Sequence, residues 1–346
     1  MEGQDFVRLV NNFYTSSGID ADYNRIAIDA QLSNYIASQT GQLEKKYKVA
    51  LLCISLNQLY WQFAKPMIEG VKQFFLPGHK VDVLFWSDMP EPHDTKFWQD
   101  FIKVHKEAGT QADQIPKLIV EGKQYLADVR SLSTIIPMDS MEWPLPTLFR
   151  YALFLQQEEK LKEYDYIFYC DIDMRFVGVV GDEILGDLTA AQHPMYAVRK
   201  QYVPPYEPNK ESTAFIPRPG MVIDDGGKPR FMPMYYAGGF QGGKTDKFIE
   251  AMKVMKKNID KDFTKNYIAI WNDESHWNKY LFDNPPSITL TPSYIYPDSL
   301  IKEYYEPLWG CSYPPKLMTL TKKFSTTPQG GEAVNKMIQE MKGLQK

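Results

Sequence analysis

Apolar residues along this 346-residue chain alternate between short unbroken runs and longer helically spaced ones. VALLCIS (49–55) and VDVLFWSD (81–88) are runs of strand length. Between them, Trp61 to Leu76 carries apolar residues on a helical period and stops at Pro77-Gly78. A strand, a helix of that length and a second strand make a βαβ unit, hence a parallel pair and a right-handed crossover. Residues 89–140 hold weak helices with several breakers and no evident chemistry. Leu148–Lys162 reads as a helix leading into YDYIFYC (164–170), whose Tyr166–Cys170 has the pattern of a buried strand. AIWNDESHWNKYL (269–281) reads as a further helix. The expected class is α/β.

Residues 1–46 differ. Phe6, Leu9, Val10 and Phe13 recur at helical spacing, Gly18 and Gly41 punctuate the segment, and the polar stretch SQTGQLEKKYK joins it to the rest. This predicts a helical N-terminal extension over 1–46, packed on the core or used for homo-oligomerisation, followed by one α/β domain over 47–346.

Composition adds bounds. With 43 acidic and 39 basic residues the net charge is −4, which argues against a nucleic-acid backbone or an anionic membrane as the main partner. No 18 apolar residues run together, so no transmembrane segment is expected. Cys53, Cys170 and Cys311 form no CxxC pair and no disulfide framework. Together with the lack of a leader-like start, this points to a reducing, cytoplasmic setting. Aromatic residues reach 14%, a supply suited to stacking on ring-shaped ligands.

The strand at 166–170 terminates in Asp171-Ile172-Asp173. Strand alternation would put both carboxylates on one side, at the carboxyl end where α/β sheets bind ligands. Two acids so placed repel unless a cation lies between them, and Mg²⁺ or Mn²⁺ holding a diphosphate is the natural occupant. An EF-hand loop is excluded, because Arg175 and Phe176 stand where an oxygen ligand and Gly belong. YYAGGFQGG (235–243) packs four glycines behind two tyrosines, which permits either close backbone approach to a ligand or a bulged strand. Asp273, Glu274 and His276 lie together in the 269–281 helix without HExxH, so a zincin is excluded. DES there reads either as a favourable first turn or as the acid of a sugar-transfer site.

These blocks resemble glycosyltransferase family 6, the family of the histo-blood-group A and B transferases, the α1,3-galactosyltransferase and bacterial relatives. The carrying stretches, in order, are GHKVDVLFWSD (78–88), IFYCDIDMRF (167–176), GDLTAAQHPMYAV (186–198) with PYEPNKESTAF (205–215), YYAGGFQGG, WNDESHWNKYL and LTPSYIYPD (290–298). The resemblance implies a GT-A fold, a Rossmann-like mixed sheet flanked by helices. It also implies α1,3 transfer with retention from a UDP-sugar, UDP-GalNAc or UDP-Gal, to a galactose-terminated, in some members fucosylated, glycan acceptor. In its terms Asp171 and Asp173 bind Mn²⁺ (or Mg²⁺) and the diphosphate, and Arg150 contacts the donor. Glu274 is the nucleophile or oxocarbenium-stabilising carboxylate, with Asp273 beside it. His193, Thr213 and Trp271 meet acceptor or donor sugar, and Tyr60 matches a uridine-binding tyrosine. Lys322 and Lys323 fall where a basic tail closes on the diphosphate. Ala237, Gly238 and Gly239 form the donor-sugar wall, where the small Ala237 and Gly239 favour GalNAc over Gal.

Two other readings use the same residues. A family 8-like retaining transferase also places DxD after a strand, but it puts a metal-binding His near the C-terminus and none follows His276 here. A non-catalytic carbohydrate-binding protein on the same fold would have no need to keep Asp171, Asp173 and Glu274 together.

Overall fold

The computed structural model describes residues 46–198, 204–217, 235–297 and 315–320. The expected extension over 1–46 lies outside the described residues but for Lys46, as do Lys322 and Lys323. Among the described residues no helix is long and apolar enough to cross a membrane.

In chain order the elements are β1 (Lys48–Ser55), α1 (Asn57–Trp61), α2 (Ala64–Phe74), β2 (Lys80–Ser87), α3 (Thr95–Glu107), α4 (Gln114–Leu132), β3 (Thr134–Pro137), α5 (Leu145–Leu155) and α6 (Glu158–Leu161). They continue with β4 (Tyr166–Cys170), β5 (Met174–Phe176), β6 (Leu188–Gln192), α7 (Pro194–Val198), β7 (Tyr236–Lys244), α8 (Thr245–Thr264), α9 (Asn272–Asp283), β8 (Ile288–Leu290), β9 (Tyr296–Pro297) and β10 (Leu317–Thr319). Seven strands form one mixed sheet in the order β3-β2-β1-β4-β7-β6-β8. β3, β2, β1 and β4 run parallel, and β7 is antiparallel to both β4 and β6. A small sheet, β5-β10-β9, covers one end.

The unbroken apolar run of β1 follows from burial on both faces. Val49, Leu51 and Cys53 pack with Met67, Ile68 and Val71 of α2 on one side. Ala50, Leu52 and Ile54 pack with Tyr151 and Phe154 of α5, Met252 of α8 and Trp277 of α9 on the other. The βαβ unit 48–87 forms as expected, with Lys48 to Ser55 in register with Lys80 to Ser87. Cys53 and Cys170 are free, buried thiols.

Residues 89–140 are more ordered than their breakers imply. Pro116 falls in the first turn of α4, where its missing N–H removes no intrahelical bond. Gly122 faces Trp98 of α3, and a Cβ there would sit 2.7 Å from Trp98 Cη2. The breaker is thus the socket for a buried indole, and β3 then extends the sheet beyond β2. Thr134–Pro137 is too short and too polar at its ends for periodicity to reveal it.

Glycine also sets the centre of the sheet. A Cβ on Gly242 of β7 would lie 2.3 Å from the Ile167 carbonyl oxygen and 2.7 Å from Phe168 Cα, both backbone atoms of β4. Neither can rotate away. Gly242→Ala is therefore expected to destabilise the protein by about 3 kcal/mol or more, read as a lower urea midpoint; an unchanged midpoint would show that β4 and β7 can separate cheaply.

Candidate active site

A cavity of about 330 Å³ opens at the carboxyl edge of β1 and β4. Ile54, Leu56, Asn57 and Tyr60 close it on the β1–α1 side; Thr147 and Arg150 come from α5, and Tyr169, Asp171, Ile172 and Asp173 from the end of β4. Gly238 and Gly239 of β7 form the facing wall, with Trp271, Asn272, Asp273 and Glu274 at the start of α9. Met141, Trp143 and Pro146 lie at its rim.

The two aspartates reach this cavity by a route different from strand alternation. β4 ends at Cys170, and Asp171 to Asp173 form a turn in which the Met174 N–H donates to the Asp171 carbonyl (3.2 Å). The reversal, rather than the pleat, brings both carboxylates to one space. Asp171 is 38% exposed at its side chain and Asp173 is buried.

Arg150, buried on α5, is the cation lining the cavity among the described residues. Its Nε lies 3.0 Å from Asp273 Oδ2 and its Nη1 3.8 Å from Asp171 Oδ1. Nη1 also donates to the Gly238 carbonyl (3.2 Å), which accepts a second bond from Gln241 Nε2 (3.0 Å). The guanidinium lies 4.2 Å over the Tyr169 ring, and the Tyr169 hydroxyl donates to Asp171 Oδ1.

Asp273 and Glu274 occupy the first turn of α9, the end of a helix that favours negative charge. Asp273 is buried, and its Oδ2 has no well-aligned hydrogen bond, so its link to Arg150 is one of charge. Burial outweighs Arg150 and pushes this carboxyl up to about 7, with the charges of Asp171 and Glu274 adding to the rise. Glu274 is raised to about 6, again by burial, while the Gly238 N–H (2.7 Å to Oε2) and the neighbouring Tyr235 hydroxyl oppose the rise.

The remaining candidates divide. Tyr60 and Trp271 line the cavity, Trp271 with 48% of its surface exposed. His193 does not line it; its ring lies 5.8 Å from that of Tyr235, and burial lowers it to about 4, which favours the neutral ring. Thr213 is not brought to the cavity: its N–H donates to Asp262 and its Oγ1 to the Asn258 carbonyl (2.9 Å), which ties segment 204–217 to α8. Ala237 is packed in the core beneath the wall instead of lining it. Sequence reasoning missed Tyr169, Trp143, Asn272 and Gln241. Trp143 carried a usable signal, an aromatic beside prolines in a polar stretch, and it is 51% exposed. Tyr169 carried none, since it reads as one more strand residue.

Among the described residues no group of three or more Asp, Glu, His or Cys side chains is spaced to hold a metal by itself. The Asp171–Asp173 pair nonetheless suits Mg²⁺ or Mn²⁺, which take one or two carboxylates and complete their shell with phosphate oxygens and water. Hard oxygen donors at the mouth of a ligand-sized cavity fit that chemistry.

A mixed sheet with parallel strands ending at a two-acid turn, faced by a glycine wall and a helix-borne acid pair, defines a glycosyltransferase fold of the GT-A type. Comparison with known proteins narrows the class. The profile of glycosyltransferase family 6 matches residues 149–304, which include Arg150, both aspartates of the turn and Glu274. Rat histo-blood group ABO system transferase 1 is 28% identical over 265 residues, 75% of this chain and 65% of that protein. Human globoside alpha-1,3-N-acetylgalactosaminyltransferase 1 is 30% identical over 242 residues, 69% of this chain and 58% of that protein. The O-antigen biosynthesis glycosyltransferase WbnI of Escherichia coli is 30% identical over 166 residues, 47% of this chain and 66% of its own. The chain thus spans less than two thirds of the length of these relatives. It belongs to glycosyltransferase family 6.

The Arg150–Asp273 contact yields a pH-dependent prediction. A carboxyl raised in the fold contributes stability at low pH, and that contribution is lost as pH rises through about 7. Removing the cation raises Asp273 further, so at pH 8 the variant must take up a proton that the wild type has released, a pH-dependent loss of about 1.4 kcal/mol for each pH unit above 7. Arg150→Met should therefore cost about 1 kcal/mol more at pH 8 than at pH 5.5, where Asp273 holds a proton and only the contacts to Gly238, Asp171 and Tyr169 are lost. Urea unfolding at both values checks this; an equal cost at the two would mean that Asp273 is not the partner that matters.

Proposed function

We propose that this chain is a retaining α1,3-glycosyltransferase that moves GalNAc, in preference to Gal, from UDP to a galactose-terminated glycan. The observation that carries this reading is the convergence of Asp171, Asp173, Arg150 and Glu274 on one cavity. Four acids and a single cation line it among the described residues. A diphosphate would be repelled there unless a cation enters with it, which supports metal dependence. A divalent ion held by Asp171 and Asp173 would supply charge stabilisation for the departing UDP.

The chain's own residues do the rest. Arg150 is fixed by Asp273 and the Gly238 carbonyl, so its charge is in place before the leaving group develops its own, which is the economical form of electrostatic catalysis. Glu274 is held by the Gly238 N–H, an arrangement that orients the carboxylate without neutralising it. At the anomeric carbon it acts either as the nucleophile of a double displacement or as the anion that stabilises oxocarbenium character during front-face attack; both retain configuration. Trp271 and Trp143 present exposed rings at the cavity and suit the apolar faces of sugars.

Donor choice rests on the glycine wall. Gly238 and Gly239 present bare backbone to the cavity, so an N-acetyl group there would meet no wall side chain larger than the acids already seated against it. The names of the human and chicken globoside N-acetylgalactosaminyltransferases support the same choice.

Two assays test the reading. With Mn²⁺ present, UDP release should be faster from UDP-GalNAc than from UDP-Gal, and the reverse order would sink the steric argument. Transfer should stop with EDTA, and Glu274→Gln should lower it by about a hundredfold or more, on the scale of losing a principal electrostatic or covalent group, while UDP still binds in calorimetry. A fully active Glu274→Gln protein would remove Glu274 from the mechanism.

A further inference from the structure

The carboxylate of Asp171 is held from two directions. Tyr169 donates its hydroxyl to Oδ1, and Arg150 Nη1 lies 3.8 Å from the same oxygen. Oδ2 lies against the bare Cα of Gly239, where a Cβ would come within 2.8 Å of it. One oxygen is thus committed to protein donors, and the other is set against the glycine wall.

Tyr169 is an odd residue for its place. Its ring packs in the apolar face of the sheet, 5.6 Å from that of Phe154, and it is 3% exposed. Phenylalanine would fill that space equally well and would still carry the Arg150 guanidinium on its ring face. What tyrosine adds is one hydroxyl, and that hydroxyl is spent on Asp171.

We propose that Tyr169 is a positioning residue for the Asp171–Asp173 pair. Its hydroxyl holds the Asp171 carboxylate in one orientation, so that the acid is ordered before a cation arrives. By seating Oδ2 against Gly239, it also couples cation affinity to the wall that receives the donor sugar. Gly239 is then small in this chain because Asp171 needs the room, together with Ile295, whose Cδ1 would lie 2.9 Å from a Cβ, and in addition to any need of the sugar. This inference rests on reading Asp171 and Asp173 as the metal-binding pair.

The test is a Mn²⁺ titration at saturating UDP, followed by the electron paramagnetic resonance signal of the free ion. It uses the wild-type chain, Tyr169→Phe, Gly239→Ala and the double variant, with urea unfolding of each as a check on folding. Tyr169→Phe should weaken Mn²⁺ binding about tenfold, the scale of one lost hydrogen bond to a charged group, with little change in unfolding midpoint. Gly239→Ala should also weaken it about tenfold in the wild-type background, yet only about two- to threefold when Tyr169→Phe has freed Asp171 to move, the non-additivity of groups in contact. Mn²⁺ affinity that is unchanged or tighter in Tyr169→Phe overturns the positioning role, since a tyrosine that merely fills the core would give that result. Equal losses from Gly239→Ala in both backgrounds overturn the coupling. A wild-type protein that binds UDP but no Mn²⁺ overturns the metal reading itself, and this inference with it.

Discussion

The site depends on one buried guanidinium. Arg150 sits under the cavity with Asp273 on one side, Asp171 on another, the Gly238 carbonyl above and the Tyr169 ring against its face. Without it, the end of β4 and the first turn of α9 would bring like charges together in a region of low dielectric, where repulsion is poorly screened. With it, four elements distant in sequence, α5, β4, β7 and α9, meet at one charge-compensating centre. The compensation is incomplete, because one cation faces four acids among the described residues, and burial raises both Asp273 and Glu274 besides. A site left with surplus negative charge is one in which a cation has an electrostatic reason to bind.

The glycine wall is the second constraint, and it serves two purposes along one strand. At Gly242 and Gly243 the missing side chains let β7 lie close against β4 and against the Asp187–Leu188 backbone, so the sheet can close. At Gly238 and Gly239 they let the strand approach Glu274 and Asp171. The two alternatives raised by YYAGGFQGG both hold. The β6–β7 register shifts between Ala190 and Gln192, opposite Tyr236 to Gln241 of β7, and the glycines make close approaches, to backbone at Gly242 and Gly243 and to the site acids at Gly238 and Gly239.

Much of this was legible in the sequence. The βαβ unit stood out because β1 and β2 are buried runs with a helical period between them, and Asp171, Asp173, Arg150 and Glu274 fall in blocks whose order matches a family. What escaped was whatever depends on partners far along the chain. Alternation put Asp171 and Asp173 on a strand, whereas the strand stops at Cys170 because a turn bond closes from Met174 back to Asp171. The resemblance put Thr213 at a sugar contact, whereas the structure shows it bonded to Asp262, 49 residues away, and outside the cavity lining. Ala237 sat in the right motif, but the pleat of β7 turns it into the core. The breakers at 116 and 122 disguised α4, since neither a first-turn proline nor a socket for Trp98 can be recognised until the partner is known.

The division of the cavity between its two halves carries a last point. The acids and Arg150 lie within residues 149–304, the stretch that matches the family, whereas the Tyr60 wall lies before it. That wall is built by a different device. Asp88, at the end of β2, accepts from the Asn57 N–H (2.8 Å) and from Trp61 Nε1 (2.8 Å), pinning the turn that follows β1. Asn57 adopts φ +60°, a conformation asparagine tolerates better than most residues. The pinned turn aims α1, and so Tyr60, at the cavity. The aspartate clamp works through one backbone donor and one indole donor, Asn57 N–H and Trp61 Nε1. The charge cluster around Arg150 thus draws on α5, β4, β7 and α9, whereas the shape of the opposite wall is set by a hydrogen-bonded turn after β1, pinned by Asp88.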